Sequence, residues 1–177
     1  RDWSSDVCSS DLGPSARVGV VARPAAAELD VARVTVVEIG IAGVTGRAGC
    51  DLRVARGAAF DVSGRVGPGW FIDSVEAFEA GEDDASPVAG AATVPIEWRM
   101  ARDGRGALLR IGLPVAATPR RGLSLRIAGH RAGIDFEVPF ACRDMDMIRL
   151  EGERDDAAVL ALASPPETTI ELDREAP

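Results

Sequence analysis

Four amino-acid types are missing from the 177-residue sequence: lysine, asparagine, glutamine and tyrosine. The codons of lysine, asparagine and tyrosine are rich in A and T, so we infer a GC-rich gene. All 20 basic residues are arginine, which we interpret as a consequence of base composition rather than as phosphate recognition. Without lysine the chain cannot contain a Walker P-loop. Without lysine and tyrosine it also loses several common nucleophiles and proton donors.

Histidine occurs once, as His130 in "AGHRAG", which reads as an exposed turn. A Ser-His-Asp triad would have to use this residue, and the sequence has no G-x-S-x-G motif. Zinc would find only His130, Cys50 and Cys142 as nitrogen and sulfur ligands in the native part. We therefore expect no catalytic residues, no cofactor-binding or metal-binding residues, and no enzyme.

The charge pattern excludes further classes of protein. The formal net charge is -8, and no basic stripe with interleaved aromatic residues is present, which argues against a nucleic-acid partner. No apolar run reaches the length of a membrane span, so we expect none in this chain.

Residues 1–12 differ from everything that follows. The stretch "RDWSSDVCSSDL" resembles, residue by residue, the translation of a sequencing adapter. We therefore expect it to be foreign to the fold, as an expression tag would be. Without its one arginine and three aspartates the formal charge of -8 becomes -6. Two cysteines and two tryptophans then remain, and the native N-terminus is unknown.

Apolar residues recur at every second position through most of the remainder, which is the period of a half-buried strand. Examples are "CDLRV", "VPIEWRM" and "LSLRI", and the β-branched segment 34–41 also predicts a strand. Weaker strands are expected at 17–22, 58–63, 71–78, 147–151, 158–163 and 168–172. This pattern, with glycine- and proline-rich turns, predicts an all-β protein with an antiparallel β-sandwich, immunoglobulin-like or related, and little or no helix. The sandwich is expected over residues 13–164, with a linker and the start of a further strand over 165–177.

Two hairpins can be registered from the sequence. The Asp103-Gly104 dipeptide favours a two-residue turn, which sets Ile96 opposite Ile111. The second hairpin is predicted through "GHRA", joining the strands 123–128 and 133–140.

Cys50 and Cys142 each continue the inward-facing set of a predicted strand. We expect both to be buried in the same core. They could form a disulfide across the sandwich or remain two buried thiols. A disulfide would require an oxidising compartment.

Two tryptophans and several carboxylates are candidate ligand contacts. Trp98 shares its predicted face with Met100 and is assigned to the core. Trp70 follows Gly-Pro-Gly and could close one end of the sandwich or lie exposed, so it is the expected ligand contact if the chain binds a sugar. Carboxylates in loops could bind calcium, but none has EF-hand spacing, and we favour solvated turns for them: Glu82, Asp83, Asp84, Asp144, Asp146, Glu151, Glu153, Asp155 and Asp156.

The segment from "GRVGPGWFIDSVEAFE" through "IEWRM", "ALLRIGLP", "LSLRIAGHR" and "VPFACRDMDMIRLEGE" to "VLALASPP" resembles part of large, uncharacterised envelope proteins from high-GC bacteria. The resemblance implies a β-rich, exported, non-catalytic region and carries over no functional residues. We expect a structural or interaction module of a larger exported bacterial protein. Its partners would be other domains of that chain or envelope proteins. The alternative is a carbohydrate-binding module, with calcium as an optional aid, whose partner is a polysaccharide.

Overall fold

The structure, a computed structural model, describes residues 27–79, 96–103, 106–134, 141–166 and 169–171. Within these ranges the chain forms nine strands and a short 3-10 turn at Cys142–Met145. The strands are β1 Glu28–Gly40, β2 Gly43–Arg56, β3 Ala59–Val66, β4 Trp70–Glu79, β5 Glu97–Asp103, β6 Gly106–Ala117, β7 Leu123–Arg131, β8 Ile148–Leu150 and β9 Glu153–Ala163. None of the described helical turns is long and apolar enough to span a membrane.

The strands build two sheets that pack face to face, which confirms the predicted all-β sandwich. One sheet has the order β4-β7-β2-β1-β9, and the other has the order β5-β6-β3-β8. All pairings are antiparallel except that of β1 with β9, which is parallel. The sequence pattern did not reveal this parallel pair, because alternation is the same in both orientations.

The core lies between the two sheets and follows the alternation of the strands. In β1 and β2 nearly every second residue is buried. The largest fully buried side chains come from both sheets: Leu52, Leu109, Ile111, Leu123, Leu125, Ile127, Met145, Met147, Ile148, Val31, Val37 and Val44. The same period places the polar Arg33 and Thr35 on the inner face of β1.

The hairpin of β5 and β6 forms, but its predicted register is wrong by two residues. Trp98 lies opposite Ile111, and the ladder closes at Asp103 opposite Gly106. Ile96 is therefore not opposite Ile111. A shift of two residues keeps every side chain on its own face, so the hydrophobic pattern could not distinguish the two registers. Gly106 has a φ of 123°, a conformation that favours glycine at the point where β6 starts.

The second predicted hairpin is also wrong. Strand β7 continues through "GHRA" to Arg131 and pairs with β2 on one side and β4 on the other. Both edges of β7 are thus occupied, which leaves no free edge for the predicted hairpin. His130 consequently lies in a strand, opposite Thr45 and Phe71, and not in a turn.

The two cysteines do not share a core. Cys50 is buried, but Cys142 is exposed at the start of the 3-10 turn, and both are free thiols. Cys142 begins a 3-10 turn and does not lie in a strand, so the prediction of its burial is wrong, and of the two alternatives the disulfide does not form. Several predictions lie outside the described residues: those for 1–12, 17–22, the loop carboxylates at 82–84 and most of 133–140.

Candidate functional site

A cleft opens at one end of the sandwich, beside β4 and β5, the neighbouring edge strands of the two sheets. Its volume is about 680 Å³, within the range of small-molecule sites. The described lining residues come from the end of β3, the β3–β4 connection, the start of β4, β5 and the start of β6: Val66, Gly67, Pro68, Gly69, Trp70, Phe71, Ile72, Trp98, Met100, Ala101, Arg102, Gly106 and Ala107. Among these described residues Arg102 alone is charged.

The Gly67-Pro68-Gly69 turn builds one wall of this cleft. Gly69 has a φ of 75°, which favours glycine. The turn is closed by the amide of Trp70, which donates to the carbonyl of Gly67 at 3.2 Å. It is tied to the rest of the fold by the amide of Ala132, which donates to the carbonyl of Gly69 at 3.1 Å.

Trp70 is buried behind this wall, with 4% of its surface exposed. A β-carbon on Gly46 would lie 2.9 Å from two ring carbons of Trp70, so the indole fits because position 46 has no side chain. Its Nε1 donates to the carbonyl of Asp144 at 3.4 Å. Trp70 therefore closes one end of the sandwich, the first of the two expected placements, and it also lines the cleft.

Strand β5 supplies the opposite wall. Trp98 and Met100 lie on the inner face of β5, two residues apart, and Arg102 continues the same alternation. Trp98 packs against the core and is half-buried, whereas 39% of Met100 is exposed. Because β5 is an edge strand, the opposite sheet does not fully cover these side chains.

Phe71 forms an aromatic border next to the cleft. Its ring stacks on His130, with the ring centroids 5.4 Å apart and the planes inclined by 11°. Nδ1 of His130 lies 2.9 Å from a carboxylate oxygen of Asp73. These contacts orient the imidazole, whereas the predicted turn offered no partner for it. The side chains of His130 and Asp73 are nevertheless about half exposed.

A buried ionic network lies elsewhere in the core, around Arg33. The guanidinium donates to Glu153 at 2.8 and 3.0 Å and to Asp146 at 2.7 and 3.2 Å. It also donates to the hydroxyl of Thr35, so all five of its N–H groups are used. Only 4% of Arg33 and 2% of the Glu153 side chain are exposed. This network fastens β1, β9 and the segment that follows the 3-10 turn.

Two pKa values are shifted in this network. Burial alone would lower the pKa of Arg33, but the hydrogen bond to Glu153 and the charges of Asp146 and Glu153 outweigh it, so the pKa rises. Burial raises the pKa of the nearby Cys50 thiol to about 12, although the positive charge of Arg33 opposes the shift. Cys50 is therefore a neutral thiol and not a nucleophile.

The predicted site residues are thus dispersed. Trp70 borders the cleft, Cys50 lies beside the ionic network, and Cys142 is exposed. Of the candidate calcium ligands, Asp146 and Glu153 are bound to Arg33 and Glu151 accepts from Ser63. In the part of the chain that the structure describes, no group of three His, Cys, Asp or Glu side chains could hold a metal ion.

Sequence reasoning missed Arg33 and Arg102. The signal for Arg33 was present, because "VARVTVV" places an arginine and a threonine at inward positions of a β-branched strand. A buried arginine needs a carboxylate partner, which would have directed attention to the acidic residues after position 143. Arg102 gave no such signal, since it belongs to a hairpin end rich in charges. The chain matches no protein-family model and no curated protein.

Proposed function

We propose that this chain is a non-catalytic structural or interaction module of a larger exported bacterial protein. The observation that supports it most is an apolar strip on the outer face of the five-stranded sheet. Val34 and Val159 lie side by side in the β1–β9 ladder, and Val36 follows on β1. Each of the three valines lies on the sheet face turned away from the core. Their side chains are therefore exposed, Val34 by 50%, Val159 by 54% and Val36 by 43%.

Such a strip favours contact with another surface, since covering it removes apolar area from water. The partner would be a neighbouring domain of the same chain or an envelope protein. The buried ionic network supports the same proposal. Arg33 is saturated by Glu153, Asp146 and Thr35, so these charges hold the fold and are not free for proton transfer. The resemblance to envelope proteins supports export.

The strip can be tested by introducing charge. An isolated module with an uncovered apolar strip should self-associate weakly as its concentration rises, as measured by sedimentation equilibrium. The double variant Val34→Glu, Val159→Glu should abolish this association. Phe60→Glu is the matched control, because Phe60 is 69% exposed on the other sheet and lies outside the strip. Equal loss of association in the control, or none in the double variant, would contradict the role of the strip.

Carbohydrate binding is the second candidate, and the cleft is the observation that favours it. Trp98 presents aromatic surface to the open cavity, and Phe71 lies at its border on a strand of the other sheet. The C–H groups on one face of a sugar ring are attracted to the negative face of an aromatic ring. The test is a calorimetric titration of the chain with soluble polysaccharides, beside Trp98→Ala. Saturable heat that disappears in the variant supports sugar binding, and heat that is equal in both proteins contradicts a role for the cleft.

A further inference from the structure

We propose that the cleft binds an acidic polysaccharide, with one sugar ring against Trp98 and the carboxylate of a neighbouring unit on Arg102. This inference rests on the second of the two proposed functions and specifies its ligand.

The first support for this proposal is the charge of the residues that line the cleft. The whole chain has a formal charge of -8, yet among the described residues that line the cavity Arg102 alone is charged. Arg131 lies directly behind the turn wall, where its Nε is 3.4 Å from the position that a β-carbon of Gly69 would occupy. The carboxylate of Asp73, two residues after Phe71, is paired with Nδ1 of His130 at 2.9 Å. The described residues that line the cavity therefore contribute a positive charge in an acidic protein, and this charge is complementary to an anion.

The second support is the alignment of three side chains along β5. Trp98, Met100 and Arg102 stand on the same face of one strand, so neighbouring members are roughly 7 Å apart along it. A ligand that lies along this strand meets an aromatic face, a flexible apolar side chain and then a cation. Consecutive pyranose units that each carry a carboxylate offer an apolar face to Trp98 and, further along the strand, an anion to Arg102.

The single guanidinium selects among anions. A carboxylate carries one charge and fits one guanidinium through two parallel hydrogen bonds. A phosphate or sulfate group at a built site is met by several donors, such as a helix N-terminus or clustered arginines. Among the described residues that line the cleft, Arg102 alone supplies a charged donor. A carboxylate on a largely apolar ring therefore fits these residues better than a phosphorylated ligand.

The experiment is a calorimetric titration of the full chain with oligogalacturonate, with its methyl ester and with neutral galactan oligomers. We expect saturable binding of oligogalacturonate and binding weaker by roughly ten-fold for the ester and the neutral sugar, since a lost charged hydrogen bond has that effect. Arg102→Gln should remove this preference for the acid. Trp98→Ala should weaken all three ligands. Added salt should weaken the acid alone.

Arg99→Gln is the matched control, because Arg99 lies on the same strand but on its outer face, opposite Arg110. It should leave all affinities unchanged. Met100→Glu guards against misfolding of Trp98→Ala, since it adds a repelling charge at a partly exposed position and should weaken the acid selectively. Equal binding of acid and ester, unaffected by Arg102→Gln, would overturn the acidic ligand and leave sugar binding standing. Absence of binding by all three ligands would overturn both.

Discussion

Replacing Arg33 by methionine tests the role of the buried ionic network in stability. The variant keeps a long apolar side chain but removes five hydrogen bonds and the positive charge between Glu153 and Asp146. Asp146 is 34% exposed and can be hydrated, whereas Glu153 is 2% exposed and cannot. Of the donors to Glu153 among the described residues, the amide of Leu150 then remains, at 3.2 Å.

Leaving one charge buried without its partner costs about 3–5 kcal/mol in the free energy of unfolding. Adding Glu153→Gln to Arg33→Met should recover part of this loss, because glutamine is neutral and still accepts from the amide of Leu150. The double variant should therefore be more stable than Arg33→Met alone.

The assay is equilibrium urea unfolding followed by circular dichroism. Arg154→Met is the matched control, since Arg154 is 61% exposed and its ion pair with Asp30 lies at the surface, where such pairs contribute about 0–1 kcal/mol. A loss in Arg33→Met no larger than in this control would refute the reasoning. So would a double variant that loses the full sum of the two single effects.

Three further predictions concern other parts of the chain. Gly46→Ala should lower the free energy of unfolding by about 1–3 kcal/mol through overpacking, because the added β-carbon would lie 2.9 Å from the indole of Trp70. Gly49→Ala on the same strand is the control, since its β-carbon would meet nothing within 4 Å. Chemical denaturation measures the stability of both variants. Cys50, with a thiol pKa raised to about 12 by burial, should resist alkylation until unfolding, while the exposed Cys142 reacts in the native protein, as peptide mass spectrometry would show; rapid native labelling of the former would contradict its burial. Deletion of residues 1–12 should leave the thermal midpoint unchanged in calorimetry, and a large drop would contradict their foreign origin.

Much of the sandwich follows from one sequence property, the alternation of apolar and polar residues. The alternation in "LSLRI" and "CDLRV" gave β7 and part of β2 with the correct faces. It could not give the order of strands within a sheet, because a strand with one apolar face can pair on either edge. That is why β7 was assigned to the residues that follow it rather than to β2 and β4.

The candidate site was less accessible from the sequence. The alternation assigns Trp98 to the core and leaves Trp70 open, yet Trp70 is buried and Trp98 is half-buried, since Trp98 lies on an edge strand. A cavity between edge strands depends on which strands lie at the edges, and alternation does not encode this. The network around Arg33 depends on contacts over 113 and 120 residues of sequence separation, which no local pattern reports.

The measurement that tests the account most directly combines binding with recovery of the ligand. Oligogalacturonate is titrated into the chain and into Trp98→Ala, and the sugar is then analysed by mass spectrometry. We expect saturable binding to the unaltered chain and loss of binding in Trp98→Ala. The recovered sugar should keep its length, because the module binds the sugar and performs no chemistry on it. Shortened or otherwise altered sugar, produced by the chain and not by the variant, would contradict the non-catalytic role.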